Sequence, residues 1–133
     1  MKEKILVVED NPQNMRLLEM VLRVEEYNLI KATDGEQALE MAKSEKPDLI
    51  LMDISLPRMN GLDVTRKLRK EPEFKNTPII GITAFAMKGD REKVMESGCT
   101  IYMSKPVNTL ALPEVVAELI LRSKQAEKES RQK

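Results

Sequence analysis

Short apolar runs alternate along this chain with longer segments of helical periodicity. Residues 5–8 (Ile-Leu-Val-Val), 49–52 (Leu-Ile-Leu-Met) and 78–82 (Pro-Ile-Ile-Gly-Ile) contain no charged side chain. Runs this short predict strands buried on both faces, and such strands belong to parallel sheets. Residues 101–104 form a shorter run of the same kind. Residues 28–33 are more polar and predict an edge strand. The intervening segments carry helix signals. Asn11-Pro12 offers a cap and a proline in the first helical position, followed by a stripe of Met15, Leu18 and Leu22, with Leu17 and Val21 beside it. Asp34 and Gln37 form a capping-box-like start to a helix that turns Ala38, Leu39 and Ala42 inward. Asn60-Gly61 marks a turn into a third helix carrying Leu62, Thr65 and Leu68. A polar loop spans 71–77. A charged fourth helix is expected over about 89–97, anchored by Val94 and Met95, with Gly98 as its C-cap. The last helix starts near Asn108 or Thr109 and buries Val116, Leu119 and Ile120. Pro113 either kinks its first turns or marks its true start.

Strand and helix alternate five times, with no internal repeat and no linker between two cores. The expected architecture is α/β: one doubly wound, five-stranded parallel sheet with right-handed crossovers and five helices. A polar second strand at the edge gives the order 2-1-3-4-5, with the switch point between strands 1 and 3. The domain is expected over residues 1–123. Residues 124–133 are polar and charged and are expected to fray.

Composition removes many functions. The 133 residues carry 22 basic and 22 acidic side chains, so no basic excess marks a nucleic-acid or membrane binder. No signal peptide and no apolar stretch of about 18 residues is present, which makes the cytoplasm the expected location. Cys99 is the single cysteine and is expected to be a small buried hydrophobe. The nine methionines read as core filler. There is no histidine, which excludes Ser/His/Asp chemistry and most zinc sites.

What remains is carboxylate, hydroxyl and lysine chemistry at the strand ends, where ligands collect in open parallel sheets. Strand 1 ends at Glu9-Asp10, strand 3 at Asp53, strand 4 at Thr83 and strand 5 at Lys105. Asp53 does not begin a helix, because Leu56-Pro57 follows it, so it is the candidate nucleophile. Two carboxylates 4 Å apart repel by roughly 4 kcal/mol at an effective dielectric near 20. A hard divalent cation relieves that cost, and oxygen ligands with room for water favour magnesium. Nucleophile, metal, lysine and hydroxyl together suit phosphoryl transfer through an aspartyl phosphate. No Gly-rich nucleotide loop is present, so the phosphoryl group must arrive on a labile donor. A histidine donor must belong to a partner. Singly, each residue has a plainer role: Glu9-Asp10 as a helix cap, Thr83 as a strand-end hydroxyl bonded to backbone, Lys105 as a solvated charge, Tyr102 as a half-buried core aromatic. Their gathering on one sheet edge argues against four coincidences.

Glu9-Asp10, Asp53, Thr83-Ala84 and Lys105-Pro106, in this order and spacing, resemble the receiver domain of bacterial two-component response regulators. The likeness covers residues 4 to about 122, and its wording is closest to DivK-like single-domain cell-cycle regulators. The resemblance implies that Asp53 accepts a phosphoryl group from a histidine kinase or phosphotransfer protein. It implies magnesium, with manganese as a substitute, bound by Asp10, Asp53 and the backbone carbonyl of Ser55, with Glu9 acting partly through water. Lys105, Thr83 and the small Ala84 would meet the phosphoryl oxygens, and the bond to Pro106 would be cis. Thr83 and Tyr102 would be a switch pair reshaping a face of helix 4, strand 5 and helix 5 for a downstream protein. Ser55 and Phe85 flank the site. The expected protein is a stand-alone phosphoacceptor, not a turnover enzyme, with no nucleic-acid or membrane partner. Two rivals share related folds. A flavodoxin-like redox module needs a phosphate loop after strand 1, where Asn11-Pro12-Gln13-Asn14 stands, and more aromatics than two Tyr and two Phe. An aspartate-based phosphatase needs a second acid where Asp53-Ile54-Ser55 has none.

Overall fold

The computed structural model describes residues 3–56, 59–84 and 90–132, with backbone only for residue 90 and for 130–132. Phe85 and Gly89 lie outside the described residues. The elements run β1 Lys4–Val8, α1 Pro12–Arg23, β2 Asn28–Ala32, α2 Gly35–Glu45, β3 Leu49–Asp53, α3 Gly61–Arg69, a 3₁₀ turn Pro72–Phe74, β4 Ile79–Thr83, α4 Asp90–Glu96, β5 Ile101–Ser104 and α5 Ala111–Gln132. All pairings are parallel and the order is β2-β1-β3-β4-β5, as expected.

Alternation along the strands builds two cores, because successive side chains leave opposite faces of a sheet. Ile5, Val7, Leu49, Leu51, Ile80 and Ile82 pack against α1 and α5. Leu6, Val8, Ile50, Met52 and Ile79 face α2, α3 and α4. β3 and β4 are buried at every position, whereas β2 is exposed or half-buried along most of its length, as its polar edge-strand sequence predicts.

The helix signals operate as read. Asn11 Oδ1 accepts from the N–H groups of Gln13 and Asn14 at 2.9 and 3.0 Å. Asp34 Oδ1 accepts from Gln37 N–H at 2.8 Å while Gln37 Oε1 accepts from Thr33 N–H at 2.9 Å. Asn60 Oδ1 caps α3 at Asp63 N–H, 2.9 Å away. Gly98 ends the α4 segment at φ +113°, a conformation that glycine adopts at little cost. Pro113 falls in the first turn of α5 and does not kink it. Asn108 Oδ1 takes the N–H groups of Leu110 and Ala111, and Leu112 N–H reaches the Asn108 carbonyl. Proline has no N–H to give Thr109, so the regular helix begins two residues before it.

Two expectations are corrected. Met95 is 42% exposed, so α4 is anchored by Val94 alone, at 1%; Met95 falls one step of about 100° off the buried face. Leu17 likewise stands 41% exposed beside the stripe of Met15, Leu18 and Leu22. Over the segment expected as a charged tail, α5 continues to Gln132. Lys, Gln, Ala, Glu and Arg there are good helix formers. Ser123 Oγ donates to the Asn76 carbonyl at 2.8 Å and Lys124 pairs with Glu3 at 2.8 Å, tying the extension to the domain. Among the described residues, no helix is long and apolar enough to cross a membrane.

The loop after β3 is held by α3. Gly61 N–H donates to the Ile54 carbonyl at 2.9 Å, and Ile54 N–H donates to the Ile82 carbonyl at 2.9 Å. A Cβ at Gly61 would lie 2.3 Å from the carbonyl oxygen of Asp53. Gly61→Ala is therefore expected to force α3 away from β3 and to cost about 2 kcal/mol or more, read as a lower urea midpoint with an unchanged slope. An unaltered midpoint would show that the approach is not tight.

Candidate functional site

The carboxyl edge of the sheet brings Glu9, Asp10, Asp53, Thr83 and Lys105 together, as the topology requires of β1, β3, β4 and β5. Strand register delivers the buried ones. Asp53 pairs in register with Ile82, and Thr83 with Ser104. Lys105 N–H donates to the Thr83 carbonyl at 2.8 Å, one step past the β4–β5 ladder. The Lys105–Pro106 bond is cis, as expected. Glu9, Asp53 and Thr83 are each 2% exposed, while Asp10 is exposed.

Lys105 lies between the two buried acids. Its Nζ is 3.0 Å from Glu9 Oε1 and 3.3 Å from Asp53 Oδ2. The other oxygens are also engaged. Asp53 Oδ1 accepts from Ser55 N–H at 3.0 Å, and Glu9 Oε2 accepts from Asn11 N–H at 3.2 Å. No buried side-chain nitrogen or oxygen among the described residues lacks a partner. Burial, and secondarily the neighbouring Asp53 carboxyl, push the Glu9 carboxyl up to about 7. Burial alone would lower the Lys105 ammonium, but its bonds to Glu9 and the charge of Asp53 outweigh that and raise it.

Glu9, Asp10 and Asp53 each offer a carboxylate oxygen within 4.8 Å of the others. An all-oxygen set with one exposed member fits a hard, partly hydrated cation and not a thiophilic one. Such an ion would relieve the crowding that raises Glu9. The arrangement thus joins a buried carboxylate, a lysine fixed on it and donors for a small cation, the parts of a phosphoryl-accepting site.

Ala84 is exposed and adjoins Thr83, and Ser55 is exposed next to Asp53. Tyr102 is half-buried on the β5 face that packs against the α2–α4 core, in register with Gly81. It shares that face of the sheet with Thr83, two positions further along the register. Two contributors to the site were not legible in the sequence. Gly61 read only as a turn residue, although its packing on the Asp53 carbonyl sets the loop. The Asn11 N–H bond to Glu9 lay hidden behind the capping role of Asn11. Gly61 carries no local signal, because its role depends on what β3 places opposite it, whereas the Asn11–Glu9 bond is local, spanning two residues.

Fold and site together define a phosphoacceptor domain of the doubly wound class. Residues 5–117 match the family model of the response regulator receiver domain. The chain is 41% identical over 116 residues to the polar-differentiation response regulator DivK of Brucella anthropi, covering 87% of this chain and 94% of that protein. The same figures hold for DivK of Brucella ovis. A crystal structure of the receiver domain of a sensor histidine kinase from Pseudomonas aeruginosa PAO1, with magnesium coordinated in its active-site cleft, superposes with a TM-score of 0.84 at 37% identity over 90% of this chain and 98% of that one. A CheY-like receiver protein from Methanospirillum hungatei JF-1 gives 0.87 at 25% identity over 95% and 99%. The chain belongs to the response regulator receiver family. It is accordingly a phosphoacceptor of two-component signalling, and its cluster of Glu9, Asp10 and Asp53 is compatible with a divalent cation.

The Glu9 shift fixes a pH dependence for the magnesium-free protein. A carboxyl raised from 4.5 to about 7 holds its proton more tightly when folded. Its stabilising contribution is complete below about 4.5 and is lost as pH rises through about 7. In EDTA, wild-type stability is expected to fall between pH 5 and 7.5, by about 1–3 kcal/mol, and Glu9→Gln is expected to flatten that slope. Urea unfolding at several pH values measures it; equal slopes for the two proteins would contradict the assignment to Glu9.

Proposed function

We propose that Asp53 is the phosphoacceptor and that this chain works as a phosphorylation-dependent protein switch. The observation that carries this reading is the buried Asp53 carboxylate, held by Lys105 on one oxygen and by Ser55 N–H on the other, beside the acids Glu9 and Asp10. An Asp53 oxygen attacks phosphorus, a P–O bond forms, and the P–N bond to a histidine of the donor protein breaks, leaving the electron pair on the imidazole. Asp10, Asp53 and the Ser55 carbonyl would hold magnesium, or manganese in its place, with Glu9 acting through water. The ion supplies neutralisation of the phosphoryl charge. Lys105, Thr83 and Ala84 receive the phosphoryl oxygens. By the same groups the domain catalyses its own phosphorylation and later hydrolysis, without turning over an external substrate.

The donor reaches Asp53 from the open edge of the sheet. Beside that edge, α1 exposes Leu17 at 41%, which lines a small cavity with Lys105 and Pro106. Downstream, the face of α4, β5 and α5 carries the output. A phosphoryl group draws the Thr83 hydroxyl toward Asp53, Tyr102 moves into the space beside β5, and α4, with Val94 as its single deep anchor, shifts at small cost. Likeness to the DivK regulators directs the search for a pathway to polarity and cell-cycle control in the cytoplasm.

Acetyl phosphate with magnesium is expected to add one phosphoryl mass to the intact protein, and Asp53→Asn or EDTA is expected to abolish the addition. Full labelling of the Asn variant, read by mass spectrometry, would sink the assignment. Thr83→Ala and Tyr102→Ala are expected to accept the phosphoryl group but to transmit it poorly. The lost hydroxyl bond is worth roughly 1–3 kcal/mol, a shift of about tenfold in a two-state equilibrium. Amide NMR shifts along β5 and α4 with and without a beryllofluoride mimic test this, and a full wild-type response in both variants would dismiss the switch pair.

A further inference from the structure

A cleft of about 290 Å³ opens at the amino end of β4 and β5, the edge of the sheet opposite Asp53. Three cationic residues, Arg69, Lys75 and Arg122, line it, and no Asp or Glu does. In a chain with 22 basic and 22 acidic residues this is a local excess that the overall composition hides.

Arg69 is the fixed member. Its Nε donates to the Gly98 carbonyl at 2.8 Å, and Nη1 donates to the carbonyls of Phe74 at 2.6 Å and Thr77 at 2.7 Å. Nη2 donates to Thr100 Oγ1 at 3.3 Å. Four of the five guanidinium N–H groups are thereby used and the guanidinium plane is fixed, leaving one donor. Carbonyl dipoles orient the guanidinium but leave its charge uncompensated. Arg69 and Lys75 make no ion pair among the described residues. Arg122 pairs with Glu118 at 2.6 Å, with both side chains largely exposed, and an exposed pair of this kind is readily exchanged for another anion. Pro78, Leu119 and Ala126 give the cleft an apolar wall.

We propose that this cleft is a second anion site, which takes a small ligand bearing a phosphate or diphosphate group. Three cations on one cleft, one held by four bonds and two exposed, match a multiply charged phosphate better than a single carboxylate. The volume lies at the low end for small-molecule sites, which limits the ligand to diphosphate size with a small body against the apolar wall. Arg69 also ties the α4–β5 turn at Gly98 and Thr100, so an occupant would meet the chain just before it enters the strand of Tyr102. The proposal is independent of the chemistry at Asp53.

The test uses inorganic pyrophosphate as probe, added to the full chain in EDTA and followed by amide NMR. Saturable shifts are expected at Asn76, Thr77, Thr100 and Ser123, weakening as salt is raised. The double variant Lys75→Ala/Arg122→Ala, both exposed positions, is expected to raise Kd roughly tenfold or more. It should label with magnesium and acetyl phosphate at the wild-type rate, which shows an intact fold. Arg69 is left unchanged because it holds three backbone segments together. Absence of saturable shifts at millimolar probe overturns the proposal. So do shifts centred on Lys105, or undiminished binding by the labelling-competent double variant.

Discussion

Lys105 holds two buried carboxylates at once, and the carboxyl edge of the sheet is arranged around that contact. Glu9 and Asp53 are almost fully withdrawn from water, with Lys105 Nζ at 3.0 and 3.3 Å. Two acids this close would repel severely without a cation between them. The ammonium tolerates the position because burial, which alone would neutralise it, is outweighed by the acids. It does not fully offset the burial of Glu9, whose carboxyl is raised first by desolvation and then by Asp53. A site in this condition gains from added positive charge, which is the physical reason such a cluster suits a divalent ion.

The rest of the fold keeps that cluster dry and in register. β3 is buried at each position from Leu49 to Asp53, so the carboxylate arrives on a strand with no freedom to slip. α3 closes the loop behind it, with the Gly61 backbone packed on the Asp53 carbonyl at a distance no other residue could match. Ile54 is tied forward to Ile82 and back to Gly61. On the far side the Lys105 backbone is bonded to Thr83, so the cation and the candidate hydroxyl move with the same pair of strands. Rigidity of this kind is what a preorganised electrostatic site requires.

Stability is distributed unevenly around the cluster. α1 and α5 bury several large side chains each, whereas α4 buries Val94 and then ends at Gly98. The weakly held helix borders the same face of the sheet as Thr83 and Tyr102. A domain built to signal needs one element whose displacement costs little, and the loosely anchored α4 is suited to that part. α5 is the opposite case, running to Gln132 and tied at Asn76 and Glu3.

By itself the sequence determined the class of fold, the strand order and the acids, hydroxyl and lysine at the strand ends. Those are read from local patterns: apolar runs of strand length, caps such as Asn11 and Asp34, and a polar group where each run stops. It also exposed Gly98 as a helix end, because that residue's role depends on its own backbone. Only the tertiary structure decided which side of a helix is covered. Met95 and Leu17 carry the same apolar signal as Val94 and Leu18, but helix orientation turned them outward. Where α5 begins its extension, Ser123 and Lys124 meet Asn76 and Glu3, far away in the chain, and those contacts too have no local signal. Gly61 and Arg69 are the clearest cases. One gives up a side chain to a carbonyl of β3, and the other spends its donors on Phe74, Thr77, Gly98 and Thr100. Gly98 and Thr100 lie 29 and 31 residues from Arg69 and meet it only when the sheet closes, so no local pattern can announce them.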